Sequence, residues 1–415
     1  MTVVVGILNR RGAVLAADSA VTVNNAHGTK IYNSATKIFP LSAKSPVGVM
    51  IYNNAMFMTT PLDVIFELYR ARRGDQEFDT LKEYADDFLD FLRCENYFTD
   101  ADGQKEYFEK EVSDFYRRVN DTVEEVWTQR YGEDAVYDEK IVAEIMHGVL
   151  EGTRKDYAED SECEELKDYP KRSMALYGKD IFDAIKEDLK GKDLPANLKT
   201  DIVNTFHKYL KSSTFHIWSG LAFVGFGEKD IYPSILSMYL GGVIEGRLRY
   251  AYLDDAETIG MRYSALIRPY AQRDVIDNMI WGIHPSVEST VLQLNRNAIE
   301  STREKILKEL EKAGVKQSVI EKVTEMDLDE VKTVFGDSLD DYERNSFIDG
   351  ILDAVESFNM SDVANMAESL VSLTYMQRHI SSSEETVGGP IDVAVITKVG
   401  GFQWVKHKPW PPPVA

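Results

Sequence analysis

Cysteine is almost absent: Cys94 and Cys163 are the only two, far apart and outside any Cys-x-x-Cys pattern. That spacing excludes a disulfide framework and a cysteine-bound zinc, and it predicts a reducing compartment. Apolar residues are plentiful, yet no run of about 18 of them is uninterrupted, so no membrane-spanning helix is expected. Basic residues are outnumbered, with 47 Lys and Arg against 69 Asp and Glu and a formal net charge of −22. A surface of that sign repels phosphate backbones and anionic lipid, which makes nucleic acid and membrane poor partners. The seven histidines form no His-Glu-x-x-His or other tight ligand spacing, and the Gly220–Gly227 stretch lacks a phosphate-loop lysine. No metal, nucleotide or other cofactor is therefore expected. The opening residues lack a basic stretch followed by an apolar core, so the expected location is the cytoplasm.

What is present alternates between strand-like and helix-like stretches. Val3 to Leu8 and Ala13 to Ala17 are apolar around the turn Arg10-Arg11-Gly12, a hairpin pattern. Lys37 to Leu41 and Val47 to Tyr52 follow, after a stretch rich in Asn, His, Gly and Thr that reads as a loop. At Thr60-Pro61-Leu62-Asp63, a threonine cap, a proline at the first helical position and an acid at the third predict a helix. A second helix begins at Asp79-Thr80. From about 96 to 213 the chain is charged, periodic and helical, with Tyr107, Val112, Phe115, Val119, Val123 and Trp127 as one buried stripe. Strand character returns over Phe215 to Phe226, Ile235 to Tyr239 and, after a break at Gly241-Gly242, Val243 to Tyr250. Residues 274–380 read as helical, with Ser301 to Lys312 closed by Gly314. The last strands are Ile391 to Lys398 and Phe402 to Val405, and the tail 409–415 reads as polyproline II.

Three stretches carry a family resemblance. Thr2-Val3-Val4-Val5-Gly6-Ile7, Gly12-Ala13-Val14-Leu15-Ala16-Ala17-Asp18-Ser19 and Lys37-Ile38 resemble the opening of proteasome β-subunits and the bacterial HslV peptidase. Asp79 to Cys94, Phe215 to Tyr250 with its Tyr232-Pro233-Ser234 step, Met360 to Ala364 and Gly388 to Val393 resemble later segments of those N-terminal-nucleophile hydrolases. The resemblance implies an α+β fold, a four-layer αββα sandwich. Its core would comprise residues 1–95, 214–284 and 358–408, with helical insertions at 96–213 and 285–357 and a Pro-rich tail at 409–415.

The same resemblance implies a chemistry. Thr2, exposed by removal of Met1, would be the nucleophile, its own α-amino group the base, Lys37 the charge that lowers the hydroxyl pKa, and Asp18 the partner of that lysine. Glu384 aligns with the acid of the last loop, and Ser19, Met50, Tyr52 and Asn53 with the oxyanion and substrate cleft. A peptide or protein substrate, a homo-oligomer and a regulatory partner on the insertions are the implied partners. The chain departs from the pattern where Tyr52-Asn53 replaces a glycine pair, where Val387 replaces a serine, and near Pro269 to Gln272, where a serine has no counterpart. Taken singly, Asp18 also reads as a turn acid and Lys37 as an exposed strand residue. A non-catalytic assembly protein and a small-molecule amidase on the same fold are the open alternatives.

Overall fold

A computed structural model describes residues 2–25, 28–42, 44–94, 100–133, 135–136, 138–170, 194–261, 263–380 and 387–408. Glu384 and the 409–415 tail lie outside them. The described chain is a mixed α+β protein whose sheets are antiparallel. It divides into two compact units: residues 1–38 with 258–415, and residues 39–257.

In the first unit, five strands lie in the order Ala265–Ala271, Val3–Asn9, Gly12–Ala17, Asp392–Thr397 and Gly401–Lys406. Val3, Val5, Ile7, Val14 and Ala16 point to one face and pack with Val363, Ala367, Leu370 and Val371 of helix Met360–Ile380. Burying such side chains contributes about 1.5–3 kcal/mol each, which sets the hairpin register against slippage. At its turn, Asn9 Nδ2 donates to the Val355 and Phe358 carbonyls at 2.9 and 3.1 Å, so the hairpin tip is tied to the helical layer.

The second unit has the strand order Arg247–Tyr252, Ser234–Ile244, Ser219–Gly225, Val47–Tyr52 and Ile38–Pro40, with Glu257–Thr258 beside Ser234–Ile244. Helices Leu62–Arg73 and Leu81–Cys94 cover one face through Ile65, Phe66, Tyr69, Tyr84 and Phe88. The expected stripe from Tyr107 to Trp127 is buried along the single helix Ala101–Tyr131, against helices Glu139–Glu159 and Ala196–Lys211. That helical block is pinned by a fully buried ion pair, Arg249 Nη1 to Glu111 Oε1 at 3.3 Å. Tyr107 and Tyr209 donate to the same carboxylate, and Arg249 donates to the carbonyls of Tyr209, Leu210 and Thr214. Buried charges persist only when their hydrogen-bonding capacity is met in this way.

Three local expectations are corrected. The polar stretch after Ser19 is a ladder, Val21–Asn25 against Gly28–Tyr32, held by backbone pairing that leaves no apolar alternation to read. Pro61 caps its helix with extended backbone (φ −60°, ψ 137°), because Thr60–Pro61 is already paired with Met56–Phe57. Gly241 and Gly242 do not break their strand: a Cβ on either would come within 2.7 Å of the Tyr107 side chain, and the turn falls at Glu245-Gly246 with φ 49° and 75°. Ala265–Ala271, which carries no clear pattern in the sequence, is also a strand, with Pro269 opposite Val5 at a sheet edge, where a missing N–H is tolerated.

One partly buried histidine sets an acid limit. Burial pushes the His216 imidazole down to about 4, with Arg118 adding to the shift and Asp114 opposing it. Its ring stacks on Tyr209 with centroids 4.2 Å apart. The folded value lies below the ordinary 6.5, so the unfolded chain binds the proton first, and stability is lost as pH falls from 6.5 towards 4. Urea midpoints measured across that window should show a loss of about 3 kcal/mol that His216→Phe removes. Parallel pH curves for the two proteins would rule His216 out as the cause.

Candidate active site

The hairpin register brings the first candidates together. Val4 pairs with Ala17 and Asn9 with Gly12, so one step further Val3 lies opposite Asp18, whose N–H donates to the Val3 carbonyl at 3.2 Å. A sixteen-residue separation is thus the length of one hairpin. Asp18 is 1% exposed and receives a full set of donors. The Val3 N–H (3.0 Å) and Lys37 Nζ (2.6 Å) reach Oδ1, while the Ala20 and Gly388 N–H groups (both 3.1 Å) reach Oδ2. Lys37, 4% exposed and not on the surface, enters from the segment after the Gly28–Tyr32 strand. Its ammonium also donates to Thr2 Oγ1. The threonine hydroxyl in turn lies 3.4 Å from Asp18 Oδ1 and 3.5 Å from the Ala20 carbonyl, either of which accepts its proton.

The electrostatics follow from this enclosure. Burial pushes the Lys37 ammonium below the usual lysine range, Asp18 opposes the shift, and the positive charge of Lys408 adds to it. A buried ammonium against a hydroxyl oxygen stabilises the alkoxide form of that oxygen.

A second layer, of which the sequence pointed only to Ser19 and the Gly388 to Asp392 stretch, surrounds the first. Asp392, 1% exposed, accepts from Lys408 Nζ, from the Lys408 N–H at 3.0 Å and is 3.0 Å from His407 Nδ1. Lys408 Nζ donates as well to Ser19 Oγ (3.0 Å) and to the Ala35 carbonyl (2.9 Å), and Ser19 Oγ donates to the Pro390 carbonyl at 2.7 Å. Ser19 is therefore a fully buried link between the hairpin and the last strands. The Thr2 carbonyl accepts from the Gln272 N–H at 3.0 Å, beside Ala271 at φ 62°. Gly389 (φ 76°) permits the turn that presents the Gly388 N–H to Asp18: a Cβ there would lie 2.8 Å from the Asn33 carbonyl oxygen and 3.2 Å from Ser19 Cβ. The available signal for this layer was Gly388 to Asp392, already marked by the resemblance; nothing marked Lys408.

Met50, Tyr52 and Asn53 belong to the other compact unit. Met50 is buried in strand Val47–Tyr52, the Tyr52 ring fills the space beside Gly220, and exposed Asn53 (φ 67°) donates from Nδ2 to the Trp218 carbonyl at 2.8 Å. Val387 is buried in the first unit's core.

No family model matches the chain. No curated protein matches it either. Among solved structures, an Anbu (Gly-1) mutant from Hyphomicrobium sp. strain MC1 aligns over 98% of this chain and 86% of that one, at 10% identity and a TM-score of 0.27. At that likeness, the reading of the site rests on its own geometry. No helix among the described residues is long and apolar enough to cross a membrane.

Proposed function

We propose that this chain is a proteasome-like N-terminal threonine hydrolase that cleaves amide bonds, peptide bonds foremost, through an acyl-enzyme on Thr2. The observation that carries the reading is the buried meeting of Thr2 Oγ1, the Lys37 ammonium and the Asp18 carboxylate. Once Met1 is removed, the freed α-amine takes the hydroxyl proton as Oγ1 bonds to the carbonyl carbon. The C–N bond then breaks, and the leaving amine departs with that proton. Water next attacks the ester, giving its proton back through the amine, and releases the acid with Thr2 restored. Lys37 holds charge opposite the developing oxyanion of the threonine, and Asp18 holds Lys37. Intact mass, together with labelling by an epoxyketone, tests the reading: retained Met1 or an absent adduct overturns it. A non-catalytic relative is the second reading, favoured by the burial of Thr2, which is 6% exposed; absence of both adduct and turnover selects it.

The four-layer sandwich is part of the proposal, and its support is that strand Val3–Asn9 is buried on both faces. We also infer association of copies of this chain. Helices Pro285–Lys312 and Gln317–Thr324 bury no residue and expose Leu294, Ile306 and Val319. Sedimentation should give an oligomer that dissociates in Leu294→Asp/Ile306→Asp; a monomer at all concentrations refutes the inference.

A further inference from the structure

Three carboxylates converge in the 285–357 region. Glu288 lies in the first turn of helix Pro285–Lys312, while Asp340 and Glu343 lie one turn apart near the end of helix Asp329–Glu343. One oxygen from each sits within 4.8 Å of the other two. Glu343 is 2% exposed, and neither of its carboxylate oxygens has a hydrogen-bond partner among the described residues. It is the only buried residue on either helix, both otherwise amphipathic surface elements. A buried carboxylate with no donor is costly, at several kcal/mol if ionised, and it is normally retained only for a partner. Two cations border the groove, and among the described residues neither pairs with the three. Lys332 is paired with Glu300 and Asp329 at 3.1 and 3.2 Å, and Arg296, on the rim of the same groove, makes no ion pair with the three. A π-helical turn, Arg344–Ile348, follows Glu343 directly, an irregularity frequent at functional sites.

We propose that Glu288, Asp340 and Glu343 form a binding site for a hard divalent cation that staples the two helices together. The donor set is oxygen only, with no His or Cys, which selects Ca²⁺, Mg²⁺ or Mn²⁺ over Zn²⁺. The spread also fits: oxygens coordinated at about 2.0–2.6 Å lie no more than roughly 4–5 Å apart across one ion.

The full chain, stripped of metal by chelator, is titrated calorimetrically with CaCl₂, MgCl₂ and MnCl₂ in turn. One saturable site per chain is expected for at least one of them. Glu343→Gln and, independently, the partly exposed Glu288→Gln should each weaken it tenfold or more, whereas Asp337→Asn on the groove wall should not. The bound cation should raise the melting temperature of the wild type and leave that of Glu343→Gln unmoved. Absence of saturable uptake at millimolar cation overturns the proposal, as does binding that survives both Gln variants. A melting temperature raised by Glu343→Gln with no cation effect on the wild type identifies a protonated core carboxyl instead, and likewise overturns it.

Discussion

Thr2→Ala should abolish covalent capture of an epoxyketone and reduce amide hydrolysis by on the order of 10⁴-fold or more, with the fold retained. Thr2 Oγ1 is the acceptor of the Lys37 ammonium and sits 3.4 Å from Asp18 Oδ1, so deleting the oxygen removes the hydroxyl held by that pair. The structural cost is small by comparison, about 1–2 kcal/mol, because Asp18 keeps its bonds from the Val3, Ala20 and Gly388 N–H groups and from Lys37. Mass spectrometry of labelled wild type and variant checks the result, with circular dichroism confirming the fold. Equal labelling of the two proteins would place the nucleophile elsewhere.

Lys37→Met should be the more damaging change to the molecule. It leaves Asp18 Oδ1 and Thr2 Oγ1 each short of a buried donor, which costs about 1–3 kcal/mol apiece, and activity should fall with it. Asp18 retains backbone donors, so the protein should fold below its lowered melting temperature. The wild-type pH profile carries a sharper signature. Folded Lys37 loses its proton below the ordinary 10.5, so between its lowered value and 10.5 the unfolded chain binds more protons. The stability contribution of this group therefore rises with pH across that window, as the cost of burying a charge is relieved. Activity, which uses the ammonium, should fall across the same window. Rates and denaturant midpoints measured from pH 7 to 10.5 should thus move in opposite directions, and Lys37→Met should flatten that trend in its midpoint. If rates climb with pH throughout the window, Lys37 acts as the neutral base and not as a charge.

Where the sequence was legible, the information was local. The opening hairpin announces itself by two apolar runs around Arg10-Arg11-Gly12, and the Tyr107 to Trp127 stripe by helical spacing, since both patterns repeat within a few residues. The Ala265–Ala271 strand was illegible because Pro269 contradicts strand propensity everywhere except at an edge, and edge position belongs to the assembled sheet. The same holds at Gly241-Gly242, where glycine answers the Tyr107 ring packed against the strand and marks no turn.

The candidate site divides along the same line. The sequence by itself determined that Thr2 and Asp18 are neighbours, because an antiparallel hairpin with a two-residue turn converts sixteen positions of chain into one step across a ladder. Only the tertiary structure decided that Lys37 is buried against them, that Gly388, 370 residues from Asp18, supplies its fourth donor, and that Lys408 and Asp392 brace Ser19 from behind. Those contacts join segments with no shared periodicity. What selects them is the need to satisfy charges once packing has removed water, and that condition exists only after the chain has folded.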